Sequence, residues 1–241
     1  MNAAEINYNR IIAVGDLHGN KQPLKELLSR IHLSDRDLII FIGDYIDRGP
    51  ETKLVIEELI QLRSFHPNLI FLKGNHEDMM LGAMGFNAVI KDVNTWLYNG
   101  GTQTLISYGM NRNDVFLLKG IKEDDKHVRI IKNLLPRSHI EFLTELVPFV
   151  ETEHFFFCHA GVDPENTLWE GKKNLFDLLW MRDHIYSDEF AWDKTVVCGH
   201  TPLREVLIKE KLICIDTGLY CYGTLSAVDV LTNQLYQVCR F

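Results

Sequence analysis

DLIIFIGDYIDRGP, residues 37–50, is the stretch on which the reading of the fold turns. Leu38, Ile39, Ile40, Phe41 and Ile42 form an unbroken apolar run of the length and β-branched character of a buried strand, and the run stops at Gly43. Asp44, Asp47 and Arg48 then crowd between glycines and a proline, a composition that belongs to a turn. In an open α/β sheet, ligands bind beyond the carboxyl ends of the strands, so charge placed there is placed for use.

The same arrangement recurs. The run IIAV leads into GDLHGN (15–20), LIFLK into GNHE (74–77), FFFC into HAG (159–161) and TVVC into GHTP (199–202). Each apolar strand ends in Asp, Asn or His, and neighbouring strands would bring these ends to one edge. Between the strands lie segments of helical period. KQPLKELLSRI (21–31) sets Leu24, Leu27, Leu28 and Ile31 on one face, and KLVIEELIQL (53–62) follows the second strand. Alternating strand and helix predicts βαβ units. From about 76 to 150 the pattern is helical but broken by turn-rich stretches, which predicts a helical insertion beside the sheet. The end, EVLIKEKLICID and TLSAVDVLTNQLYQV, reads as successive hairpins and predicts an antiparallel tail. With no linker-like stretch, residues 1–241 are expected to form one domain.

Composition narrows the function. Hydrophobic residues make up 46% and charged residues 24%, as in a packed globular protein. A formal net charge of −8 without basic clusters argues against wrapping a nucleic acid. The five cysteines form no CxxC pair and mostly sit in apolar runs, so reduced thiols and a cytoplasmic setting are expected. No leader pattern opens the chain and no run is long enough to span a bilayer, so no membrane partner is expected. The sequence carries no signal for an oligomeric state.

The strand-end groups Asp16, His18, Asp44, Asn75, His159 and His200 are oxygen and imidazole donors without a thiolate, a set suited to manganese, iron, zinc or cobalt. Six such side chains are too many for one tetrahedral zinc and match two metals that share a carboxylate. Two divalent cations outweigh the charge of Asp16 and Asp44, which favours hydroxide and a phosphoryl dianion, and so points to phosphoester hydrolysis. Taken singly, Asp16, Asp44 and Asn75 could be turn or cap residues and the histidines could be core residues. In combination that reading fails, because capping does not require histidines to end other strands.

In this order, GD-x-HG, GD-x-x-DRG, GNHE, HAG and GHTP resemble the calcineurin-like metallophosphoesterases, specifically the phosphoprotein phosphatase family with its compact bacterial and phage members. The resemblance implies two mixed β-sheets in a sandwich flanked by helices, an α/β fold with the metals at one edge. By motif, Asp16 and His18 would hold one metal, Asp44 would bridge, and Asn75, His159 and His200 would hold the other, with Mn2+ first among the candidate ions. His76 would be the general acid and Asp47 its partner, while Arg48 would clamp phosphate. Arg182, in LLWMRDH (178–184), would be the second clamp residue by analogy with the Trp-x-Arg context of bacterial relatives. The implied reaction is hydrolysis of a phosphoprotein or small phosphoester, foremost as a serine/threonine protein phosphatase. The alternatives are a nucleotide hydrolase resembling diadenosine tetraphosphatases, which tend to share the HAG-x-x-P pattern of HAGVDP, and a metal-free scaffold, against which the complete ligand set argues.

Overall fold

Three parallel strands set the architecture of the computed structural model, which describes residues 8–118 and 125–240. Residues 1–7, where a leader would begin, and residues 119–124 of the expected insertion lie outside the described residues. β1 (Arg10–Val14) pairs with β2 (Asp37–Phe41), which pairs with β3 (Leu69–Phe71), in a register that sets Val14, Phe41 and Phe71 side by side. The loops GDLHGN, GDYIDRGP and GNHE therefore leave the sheet at one edge. On the other side of β1 the sheet is completed antiparallel by β9 (Thr224–Asp229) and β10 (Gln234–Cys239).

A second five-stranded sheet has the order β4 (Phe149–Glu151), β5 (Phe155–Cys158), β6 (Thr195–Cys198), β8 (Leu212–Cys214), β7 (Leu207–Ile208). Here β5, β6 and β8 are the parallel members, and each ends in a cysteine. Period-two alternation in the strands sorts side chains into layers. Ala13, Ile40, Phe157, Val197 and Val228 meet between the sheets. Ile12, Val14, Ile39 and Phe41 turn outward under the helices, and Phe156, Val196 and Leu212 face Leu178 and Trp192. Full burial of one such aliphatic side chain is worth about 1.5–3 kcal/mol, so these layers fix which way every strand faces.

Helix α1 (Lys21–Ile31) buries Leu24, Leu27 and Ile31, and ends where His32 enters the left-handed region at φ 49°. Pro23 lies in its first turn, where no intrahelical N–H is lost. Helix α2 (Thr52–Phe65) buries Val55, Ile56 and Leu59 beside it. The broken region holds α3 (Asn75–Ala83), α4 (Val93–Trp96), a π-helical turn (Leu97–Gly101), α5 (Thr102–Ser107), α6 (Arg112–Leu118), α7 (Asp125–Leu134) and α8 (Arg137–Thr144). The tail departs from its expected form. Both hairpins exist, but β7–β8 belongs to the second sheet and β9–β10 to the first, and β8 also pairs parallel with β6. Among the described residues no helix is long and apolar enough to cross a membrane.

Candidate metal centre and active site

The predicted site residues meet where the two sheets present their strand ends, and Asp44 is at the middle. His18 Nε2 lies 3.6 Å and His76 Nε2 3.9 Å from Asp44 Oδ2, while His159 Nε2 lies 3.3 Å from Oδ1. His159 Nε2 also faces Asn75 Oδ1 at 2.9 Å and His200 Nδ1 at 3.2 Å. Asp16 joins through its carboxylate, which accepts the His200 amide at 3.3 Å. Arg48 Nη1 donates to His18 Nε2 at 2.8 Å, and Arg182 Nη1 donates to the His200 carbonyl at 3.1 Å. The first motifs come from the first sheet and the last two from the second.

The backbone bends hard to make this possible. His18, Asp44, Asp47, Arg48 and His200 all have φ between 43° and 70°, a conformation that disfavours side-chain-bearing residues. Apart from these, only His32 and Asn233 among the described non-glycine residues do the same, so the strain is concentrated in the site. Gly43, at φ 110°, must lack a side chain, because a Cβ there would come within 2.6 Å of Gly74 N.

Proton positions follow from the carbonyls. The Ile42 and Ile46 carbonyls can only accept, so His159 Nδ1 donates to the first at 3.0 Å and His18 Nδ1 to the second at 2.9 Å. Burial pushes the pKa values of His18, His159 and His200 down, so their imidazoles are neutral. His159 Nε2 then carries a bare lone pair aimed at Asn75 Oδ1 and Asp44 Oδ1, an arrangement of acceptors that a cation between them would satisfy. Burial opposes the charge on Asp44, but its pKa still lies well below the carboxylate range, because at the low pH where it would take a proton the imidazoles around it, His159 foremost, are themselves charged. Asp16 is pushed up, first by burial and then by Asp216 and Asp44. A divalent cation would relieve that repulsion. Two donor sets could hold one, His18 with Asp44 and His76, and Asp44 with His159 and His200, and they share Asp44.

The calcineurin-like phosphoesterase family model matches residues 9–233. The chain belongs to that family. Members of the calcineurin-like phosphoesterase family hold divalent metals in a binuclear centre, and the oxygen and nitrogen donors around Asp44 fit such a group. Among relatives, serine/threonine-protein phosphatase 2 of Salmonella typhimurium is 29% identical over 92% of this chain and 95% of its own. An asymmetrical bis(5'-nucleosyl)-tetraphosphatase of Oceanobacillus iheyensis is 25% identical over 90% of this chain and 87% of its own. A solved structure assigned only provisionally as a diadenosine tetraphosphatase superposes with a TM-score of 0.67 at 18% identity, covering 100% of this chain and 97% of that one. The phosphoesterase fold is thus shared along nearly the whole chain, and the reaction class is phosphoester hydrolysis.

Within this phosphoesterase site, His76 Nδ1 donates to Asp47 Oδ2 at 2.7 Å, and His76 Nε2 is buried without a hydrogen-bond partner. Burial works against a charged ring, but Asp44 and Asp47 outweigh it and raise the His76 pKa above its ordinary value. The Arg48 guanidinium lies 4.1 Å from the centre of the Tyr220 ring, a cation–π contact.

Several residues that matter here were not marked by the sequence, or only in part. Glu77, the last residue of GNHE, accepts the N–H groups of Gly74, Asp44, Tyr45 and Ile46 at 2.8–3.3 Å. Burial and then the Asp44 charge push its carboxyl up to about 8, against the pull of the backbone donors, which occupy each oxygen twice and favour the ionised form. Trp96 donates its indole N–H to Asp47, and Thr104 donates its hydroxyl to the same carboxylate. Asp216, in the IDTG that follows β8, is buried beside the site, and burial pushes its carboxyl up to about 6. Strand-then-Asp-Gly is the pattern that found the other loops, so IDTG was a missed signal of the same kind.

A further cluster, His184, Cys198 and Cys214, lies on the outer face of the second sheet. His184 Nδ1 has no acceptor, whereas a metal-bound imidazole ordinarily donates its second N–H. With Sγ atoms 3.4 Å apart and His184 Nε2 at 3.3 Å from Cys198 Sγ, this is thiol packing in the core.

Proposed function

We propose that the chain is a binuclear metal-dependent serine/threonine protein phosphatase working in the cytoplasm, with Mn2+ as the working ion and one catalytic unit over residues 1–241. The observation that carries this reading is the convergence of His18, His159 and His200 on Asp44, with the buried His76 Nε2, free of any hydrogen bond, beside the same carboxylate and left over for proton transfer. Asp16, His18, Asp44, Asn75, His159 and His200 would hold the ions. When bound, the ions lower the pKa of water and offset the phosphoryl charge.

The chain's own residues then do the rest. Arg48 and Arg182 approach from the His18 and His200 sides and present guanidinium groups to the phosphoryl oxygens. His76, kept protonated by its carboxylate neighbours, donates from Nε2 to the leaving oxygen, and Asp47 holds the ring through Nδ1. Free thiols at all five cysteines support a reducing compartment.

Turnover of a phosphoserine and phosphothreonine peptide panel, compared with diadenosine tetraphosphate under defined manganese, zinc and iron, tests the proposal. Higher kcat/KM on the peptides is expected. A strong preference for the dinucleotide, the reaction named in the Oceanobacillus relative, would replace the protein substrate with a nucleotide one. No metal bound and no hydrolysis of p-nitrophenyl phosphate would leave a scaffold.

A further inference from the structure

Beyond α3, the helical insertion reaches the catalytic loop through residues 93–107. Residues 93–107 run as α4, a π-helical turn broken at Gly100 (φ 118°), and α5. From this segment the Trp96 indole N–H donates to Asp47 Oδ2 at 3.0 Å and Oδ1 at 3.2 Å, and the Thr104 hydroxyl donates to Oδ1 at 2.6 Å. The same Thr104 oxygen accepts the Asp47 backbone N–H at 3.0 Å. Because its single proton goes to a carboxylate that can only accept, the 3.1 Å contact with Thr52 must be donated by Thr52. The Gly100 carbonyl accepts the Arg48 N–H at 3.3 Å, and Ser107 Oγ accepts that of Lys53 at 3.2 Å.

Asp47, Trp96, Thr104 and His76 are all completely buried, so no water competes for these bonds. Their division of labour is geometric. Thr104 holds Oδ1, Trp96 spans both oxygens, and Oδ2 also accepts from His76 Nδ1, so the carboxylate is fixed from two sides while it holds the ring. A carboxylate held only by its histidine could rotate about its Cβ–Cγ bond and carry the ring with it. Asp47 and Arg48 sit in the left-handed region, at φ 70° and 64°, where backbone preference alone would not keep them. The segment also has little room to drift, since a Cβ on Gly100 would come within 2.8 Å of Arg48 N.

We propose that Trp96 and Thr104 are positioning residues of the proton-transfer step. Acting through Asp47, they orient the His76 ring so that Nε2 points at the leaving-group oxygen. The insertion is therefore part of the catalytic machinery rather than a cover over it. The inference rests on the reading of His76 as proton donor.

Three variants test it. Trp96→Phe keeps a ring but removes the indole donor, Thr104→Val keeps shape but removes the hydroxyl, and Thr104→Ser restores the hydroxyl. Across aryl phosphates of rising leaving-group pKa, the first two should lose about 10-fold to 100-fold in kcat on the poorest leaving groups, part of the roughly 10²–10⁴-fold that a placed proton donor supplies. They should lose little on the best leaving groups, with KM and metal content unchanged, and Thr104→Ser should recover most of the loss. In a His76→Asn background, Trp96→Phe should add nothing, because both changes remove one step. An equal loss on every leaving group, or an additive loss in that background, would overturn the proposal.

A second readout needs no turnover. In metal-free protein, the low-field proton resonance of His76 Nδ1–H should broaden or move upfield in Trp96→Phe and Thr104→Val and persist in Thr104→Ser. An unchanged resonance in both donor-deleting variants overturns the positioning role whatever the activity. A resonance that responds in a wild-type background lacking phosphoesterase activity keeps the positioning role and removes the functional reading instead.

Discussion

Changing Glu77 to Gln alters one atom and should be among the most damaging isosteric substitutions in the chain. Each Glu77 oxygen accepts two backbone N–H groups, Oε2 those of Asp44 and Gly74 and Oε1 those of Tyr45 and Ile46. An amide has one oxygen, so in either rotamer its NH2 faces two buried N–H donors that then have no acceptor. Each such donor costs about 1–3 kcal/mol, giving about 2–6 kcal/mol for the pair. A typical domain has only about 5–15 kcal/mol to lose. At about 2–4 °C per kcal/mol for a chain of this size, a loss of ~4 kcal/mol lowers the melting midpoint by about 8–16 °C. Differential scanning fluorimetry and urea titration of metal-free protein measure this without involving the ions. As a control, Glu170→Gln, in the exposed capping box of the short helix Leu168–Gly171, should leave the midpoint in place. A Glu77→Gln protein as stable as wild type would mean that the carboxylate is not what ties the Asp44 loop to the Gly74 turn.

Asp44→Asn should reduce the bound metal of both ions together, read by elemental analysis after manganese loading, because both donor sets include Asp44; loss of one ion alone would contradict the shared role. Arg48→Ala should raise KM and lower kcat/KM by about 10-fold to 100-fold with metal content unchanged, the scale of one or two charged hydrogen bonds. Normal kinetics would remove Arg48 from phosphate binding. Asp37 is buried, which opposes its charge, but bonds from Arg10 and the Ser34 N–H win and hold its pKa below the usual value. Its contribution to stability is therefore complete above the unfolded carboxyl pKa of about 3.9 and lost as pH falls through the lowered folded value. Urea midpoints measured between pH 6 and pH 3 should show a shallower acid decline in Asp37→Asn than in wild type.

What the sequence made legible was whatever is encoded over a few neighbouring residues. The spans 10–14, 21–31 and 195–198 are present in the structure as read, because β-branched runs and a clean helical face settle them locally. The strand-end motifs were legible for the same reason. β4 escaped because a three-residue edge strand at Phe149–Glu151 carries too little periodicity to stand out. The mixed tail escaped because a hairpin pattern shows which strands adjoin in sequence and says nothing of a third strand beside them. Trp96 and Thr104 meet Asp47 across 49 and 57 residues, and nothing around either position distinguishes a buried donor from ordinary packing. Trp96 reads from the sequence as core packing before cleft lining, and it is a core residue, but one whose single polar atom is spoken for.

Asp16, His18, Asp44 and Asn75 ride on one sheet and His159 and His200 on the other, and the Ile42 carbonyl on the first takes the His159 proton from 117 residues away. A partly folded chain with a single sheet formed thus owns half of an ion pocket and has little hold on a cation. Ion uptake reports the docking of the halves, and by mass action it favours the docked form. Manganese added during refolding should act like a late clasp, speeding nothing at the outset and slowing the chain's return to the open state.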